Sequence, residues 1–178
     1  SMAVFIIILL VVGTLERNGL KDAAAALIGK AKNATPGIII ALYGVMRVAF
    51  AAFNVSFGGV AGFVRPIIMP MAIGAIEASG HEPNDEYVEE LKGMASGMEN
   101  VAWFFGQMLF VGTAGALLVQ STLKPLGYDV DLLRMALIEI PVAVIAVAVT
   151  AGYYIIKDRR LRAKYYGSAA VSNDAKEA

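Results

Sequence analysis

The chain has no cysteine and only one histidine, His81, in 178 residues. Disulfides, thiolate metal sites and cysteine nucleophiles are thereby excluded, and a lone histidine leaves few routes to acid–base catalysis or metal binding. Net charge is missing as well. Fifteen basic residues balance fifteen acidic ones, so no global field favours a nucleic acid partner. Charged residues make up 17% of the chain and hydrophobic ones 58%, with a mean hydropathy of +0.65. Such a chain is too apolar for an ordinary soluble domain and predicts an all-α, multispanning protein of the lipid bilayer. No nucleophile–base pair or metal-ligand cluster is recognisable, which reads against an enzyme.

Residues 2–15 are almost wholly apolar, yet about 14 residues reach only about 21 Å, short of a hydrocarbon core of roughly 30 Å. A signal peptide does not fit either, because no basic stretch precedes the run and Glu16-Arg17-Asn18-Gly19 follows it directly. The segment reads as a partial span, with further transmembrane sequence expected upstream. Residues 16–36 then interleave charges with Leu20, Ala24, Leu27 and Ile28 at helical spacing. This suits an interfacial helix or a solvated connecting helix.

The most informative tract is 37–78, a long hydrophobic stretch that carries Arg47 and Arg65 and is interrupted at Gly58-Gly59, Pro66 and Pro70. An ionised side chain at mid-membrane costs on the order of 3 kcal/mol, so such arginines usually face a cavity or a bundle interior. Breaks at that depth are tolerated where freed backbone groups meet protein or water, as in transporters built from discontinuous helices. We expect a broken hairpin with its tip at Gly58-Gly59. On the first arm, Tyr43, Arg47, Phe50 and Asn54 would share a helical face. On the second, Pro66 would withhold a donor from the carbonyl of Gly62, and Pro70 from that of Pro66. A kinked structural helix with a snorkelling arginine is the plain alternative.

Residues 79–93 are too charged to be buried and read as a loop with a short helix begun at Asn84 or Asp85. A span is expected over 94–123, with Glu99, Trp103, Gln107 and Phe110 in one arc and Asn100 beside them. A last span is expected over 135–156. Lys157 to Lys164 then places five positive charges in eight residues, which puts the C-terminus in the cytoplasm. Residues 167–178 are small and polar and read as a disordered tail. Counting spans back from that end makes 79–93 cytoplasmic, and two hairpin arms return the basic 16–36 segment to the same side.

Several stretches together resemble a known family: LERNGL at Leu15–Leu20, TPG at Thr35–Gly37 with Tyr43 and Arg47 after it, FGGVAGFVRPIIMPMA at Phe57–Ala72, and MENVAWFFG at Met98–Gly106. The chain is similar to a bacterial inner-membrane family, formerly of unknown function, that forms the smaller subunit of a 5-oxoproline (pyroglutamate) transporter. The resemblance implies a larger co-encoded membrane subunit as partner. The pair would look like a split carrier of the ion-transporter superfamily, driven by Na⁺ or H⁺.

The implied substrate offers a carboxylate, a lactam N–H and a lactam carbonyl. The expected binding residues are Arg65, Arg47, Asn54, Glu99, Asn100 and Gln107, with Gly58, Gly59, Pro66 and Pro70 as hairpin or hinge positions and no resident metal or other cofactor. The alternative is a structural or assembly subunit whose partner carries the whole pathway.

Overall fold

The structure is a computed structural model that describes residues 6–7, 10–11, 13–14, 17–29 and 34–167. Most of the expected partial span over 2–15, part of the 16–36 helix and nearly all of the 167–178 tail lie outside the described residues. Among the described residues the regular elements are helical.

The first, α1 (Leu20–Gly29), tucks Ala24 and Ile28 into the core and leaves Leu27 exposed. Next comes α2 (Pro36–Ala51). Pro36 suits the first turn, where a missing N–H costs nothing, and the Thr35 hydroxyl caps it by accepting the Ile38 N–H at 3.4 Å. After a turn over residues 52–59 the chain returns through a π-helix (Val60–Ile68) that runs into α3 (Met69–Ala78). Asn84 caps α4 (Asp85–Gln107) by accepting the Tyr87 N–H at 3.1 Å. Thr113 caps α5 (Ala114–Leu123), and Asp131 caps the long α6 (Leu132–Tyr166).

Three expectations need correction. The first arm of the hairpin ends at Ala51, and Asn54 sits in the turn with φ of +60°, off the helical face assigned to it. The span expected over 94–123 is two helices, because the chain leaves helical geometry at residues 108–113 and restarts on the Thr113 cap, whose hydroxyl accepts the Ala116 N–H at 3.2 Å. The returning arm begins as a π-helix, so its backbone pairs five residues back, as the Met69 N–H does with the Val64 carbonyl. The carbonyl deprived by Pro66 is therefore that of Ala61 rather than that of Gly62.

α2, α4 and α6 pack on one another as the body of the molecule. Gly37 lies so close to α6 that a Cβ there would fall 2.6 Å from the Cβ of Asp158, and a Cβ on Gly97 would fall 2.2 Å from the Tyr154 hydroxyl oxygen. At the far end a Cβ on Gly106 would fall 2.6 Å from that of Ala51. α2 and α4 thus run in the same direction and finish side by side, with α6 antiparallel to both. Counting about 1.5 Å per residue from either anchor, both helices end level with about Val144 of α6. α6 continues about 18 Å past that level, alongside α5.

Two helical stretches, Val60–Ala78 of 19 residues and Leu132–Tyr166 of 35, are long and apolar enough to cross a membrane. The outer surface of α6 carries Leu133, Leu137, Ile138, Val144, Ile145 and Val149 exposed. An apolar face of that extent calls for lipid or another protein against it.

Candidate functional site

The turn over 52–59 follows the end of α2 and is held by left-handed backbone at Asn54, Gly58 and Gly59, with φ of +60°, +78° and +62°. Glycine meets that requirement at little cost, and asparagine is among the few other residues that tolerate it. Phe57 folds back under the turn and stacks on Phe63 at 4.8 Å, and Phe63 in turn stacks on Tyr43 at 5.5 Å. Gly62 completes the crossing, because a Cβ there would lie 2.7 Å from the Phe57 carbonyl oxygen.

Against this tip lies a buried ionic cluster. Arg47 on α2 and Glu99 on α4 are 1% and 4% exposed. The Arg47 Nε donates to both carboxylate oxygens of Glu99, at 2.9 and 3.1 Å, and its Nη1 donates to the Val55 carbonyl at 3.1 Å. The Tyr43 hydroxyl donates to Glu99 as well. The guanidinium lies over the Trp103 ring at 4.5 Å and near Phe57 at 5.7 Å. A buried pair of this kind is tolerated because each charge answers the other, and Nη1 has the Val55 carbonyl as well. Its position ties α2, α4 and the tip together, one turn before the end of α2 and two turns before the end of α4. A Cβ on Gly59 would sit 3.9 Å from Glu99 Oε1, so the tip backbone passes directly over the carboxylate.

The other expected site residues are dispersed. Asn54 and Asn100 are exposed, and Gln107 is half-buried at the last turn of α4. Gly58 and Gly59 form the end of the turn, Pro66 lies inside the π-helix, and Pro70 lies in the first turn of α3. Arg65 is exposed and makes no ion pair or hydrogen bond among the described residues. It borders an open groove of about 790 Å³ between the returning arm and α4. The two arginines therefore do different things: Arg47 is committed to Glu99, and Arg65 is uncommitted.

A second buried acid was not anticipated. Asp158, 1% exposed, accepts the Tyr87 hydroxyl, receives hydrogen bonds from the Thr35 hydroxyl and the Gly37 N–H, and lies near Arg162. It therefore caps the N-terminus of α2 from another helix. Burial, and then the neighbouring carboxylate, push the Tyr87 phenol above its ordinary range. The signal was hidden in a basic run, where one aspartate among five cations reads as a solvated charge.

Around it, the end of α6 is fastened to the start of α4. Tyr165 donates to Glu86 at 2.9 Å and Tyr166 to the Glu82 carbonyl at 2.9 Å, while Lys157 pairs with Glu90 at 2.7 Å. The Lys157 hydrogen bond, followed by its charge, holds the Glu90 carboxyl below the usual range. His81 packs by the Tyr166 ring at 4.6 Å and its Nδ1 lies 3.1 Å from the Ser79 hydroxyl. Among the described residues no group of three or more His, Cys, Asp or Glu side chains could hold a metal ion.

A family described as Protein of unknown function (DUF969) matches residues 1–162, and the chain belongs to that family. No curated protein and no solved structure matches it.

Proposed function

We propose that this chain is the membrane subunit of a secondary transporter for a small carboxylate, working with a larger, co-encoded membrane subunit and driven by Na⁺ or H⁺. The sequence resemblance names 5-oxoproline as the substrate. In this reading the protein is multispanning, lies in the bacterial inner membrane and keeps its C-terminus in the cytoplasm, where the basic run at 157–164 belongs.

The observation that carries the reading is the common level at which α2 and α4 stop. If α6 crosses the bilayer through its apolar stretch 135–156, that level, near Val144, is mid-depth. Two interruptions of helix at mid-depth are costly in lipid and are kept where they line a cavity for solute and ion. Arg47 and Glu99 then serve to hold the two breaks in register rather than to bind solute. Arg65, uncommitted on the returning arm, is the cation left for a carboxylate.

The mutual satisfaction of Arg47, Glu99 and Tyr43 also suits the alternative, an assembly subunit whose partner carries the pathway. Uptake of labelled 5-oxoproline into proteoliposomes separates the two. We expect transport only with both subunits present and its loss on Arg65→Ala. Full transport by the larger subunit paired with Arg65→Ala protein would support the assembly role.

A further inference from the structure

The groove beside Arg65 has a composition that lipid does not explain. Its α4 wall is formed by Glu89, Lys92, Gly93 and Ser96, at i, i+3, i+4 and i+7 on one helical face. The exposed Asn100 continues the same line toward the tip. By contrast, the outer face of α2 presents Ile38, Leu42 and Val45. One helix of the bundle thus turns an ordinary lipid-compatible face outward, and its neighbour turns outward a stripe of polar and small residues.

Gly93 has no packing reason to be glycine, because a Cβ there would meet nothing within 4 Å. It leaves the groove wide. The opposite wall is apolar, with Val60, Pro70 and Ile73 presenting accessible surface to the groove. The groove's cations are also unequal. Lys92 is tied to Glu89 at 2.6 Å, whereas Arg65 has no polar partner among the described residues. At its inner end the groove reaches Val60, the residue after Gly59, which lies beside Glu99. Its outer end, at Glu89, is on the side of the α6 terminus with its basic run.

From these observations we infer that the groove is a water-filled vestibule open to the cytoplasm, and that Arg65 receives there the carboxylate of a small monoanion whose apolar body rests on Val60, Pro70 and Ile73. One planar guanidinium matches one carboxylate, and a volume of about 790 Å³ suits a small molecule. With Lys92 already answered by Glu89, the described lining offers a dianion no second uncommitted cation. The inference deepens the transporter reading and rests on it. Whether the groove is wet and selects anions can be measured without transport.

The test uses single cysteines, which the cysteine-free chain makes unambiguous. Ser96→Cys, Gly93→Cys and, as a lipid-facing control, Val45→Cys are co-expressed with the larger subunit. Oriented membrane vesicles are then treated with impermeant anionic and cationic thiol reagents. We expect Ser96→Cys and Gly93→Cys to react from the cytoplasmic side only and Val45→Cys to stay inert. We expect 5-oxoproline to slow the Ser96→Cys reaction, and Arg65→Ala to lower its anionic-over-cationic rate ratio roughly tenfold. Arg65→Lys should retain most of that ratio.

Unreactive Ser96→Cys and Gly93→Cys would mean that the groove is filled by a partner helix or lipid, and would overturn the inference. A rate ratio indifferent to Arg65→Ala would overturn the role of that arginine. Absence of 5-oxoproline uptake by the unsubstituted complex, with the labelling pattern as expected, would count against the transporter reading alone.

Discussion

The two ends of the bundle use the same three side-chain types for opposite purposes. At the tip, Glu99 takes the Tyr43 hydroxyl and the Arg47 guanidinium; at the base, Asp158 takes the Tyr87 hydroxyl and lies near Arg162. At the tip a cation lies about one turn before the end of α2, its Nη1 occupied by the carbonyl of Val55 beyond that end. At the base an anion lies where a helix begins, its oxygens occupied by the donors of Thr35 and Gly37. The base anion sits at the helix pole that favours it. The tip pair depends on its partner for neutrality, whereas the base acid is also held by backbone and hydroxyl donors. Losing half of the first arrangement should therefore cost more than neutralising the second.

The largest effect is expected from Glu99→Leu. It strands the buried Arg47 charge, and breaking such a pair costs about 3–5 kcal/mol. Denaturant-titrated unfolding in detergent micelles should show this as a collapse of the folded fraction. Arg47→Met combined with Glu99→Leu should recover a good part of the loss, since replacing both partners with apolar groups is often nearly neutral. A double variant as unstable as the single one would show that the cluster acts through Tyr43 and Val55 rather than through the charge pair.

A smaller loss is expected at the base from Gly37→Ala, whose Cβ would fall 2.6 Å from that of Asp158. Overpacking of this kind costs about 1–3 kcal/mol, and here it pushes α2 away from α6. Gly152→Ala is the control. Nothing lies within 4 Å of a Cβ at Gly152, and alanine suits a helix interior better than glycine, so it should be neutral or slightly stabilising. Equal melting temperatures for the two variants would mean that α2 and α6 are less closely apposed than the contact at Gly37 requires. Milder still is Asp158→Asn, which keeps the shape and an acceptor for Tyr87 but removes the charge at the helix pole. It should cost about 1 kcal/mol in the same unfolding assay.

Much of this was legible in the sequence, and the illegible part has a common cause. The hairpin showed itself through Gly58-Gly59, Pro66 and Pro70, because glycine and proline act on the backbone where they stand. The faces carrying Tyr43 with Arg47, and Glu99 with Trp103, followed from helical spacing. That these faces meet did not follow, since Arg47 and Glu99 are 52 residues apart and nothing local pairs them. The breaks after Ala51 and Gln107 were hidden because the chain stays apolar from Phe50 to Val55 but for Asn54, and through Met108-Leu109-Phe110. Hydropathy records what a segment is made of, not whether its hydrogen bonds continue. Arg65 and Arg47 looked alike for the same reason, as arginines in apolar sequence, and only packing separates them.

That separation makes the smallest stability effect the sharpest test. Arg65 is exposed and lacks a polar partner among the described residues, so Arg65→Ala removes no interaction that holds the fold. Its unfolding should match the parent within about 0.5 kcal/mol, as for a surface substitution. Under the proposed function its uptake should nevertheless vanish, with Arg65→Lys substantially impaired because an ammonium cannot make the paired contact of a guanidinium. Arg47→Ala should show the reverse profile, losing folded protein and uptake together by leaving Glu99 buried without its cation. The decisive quantity is uptake normalised to folded protein for the two alanine variants. If both fall in proportion to folded protein alone, neither arginine meets solute, and the substrate site belongs to the larger subunit.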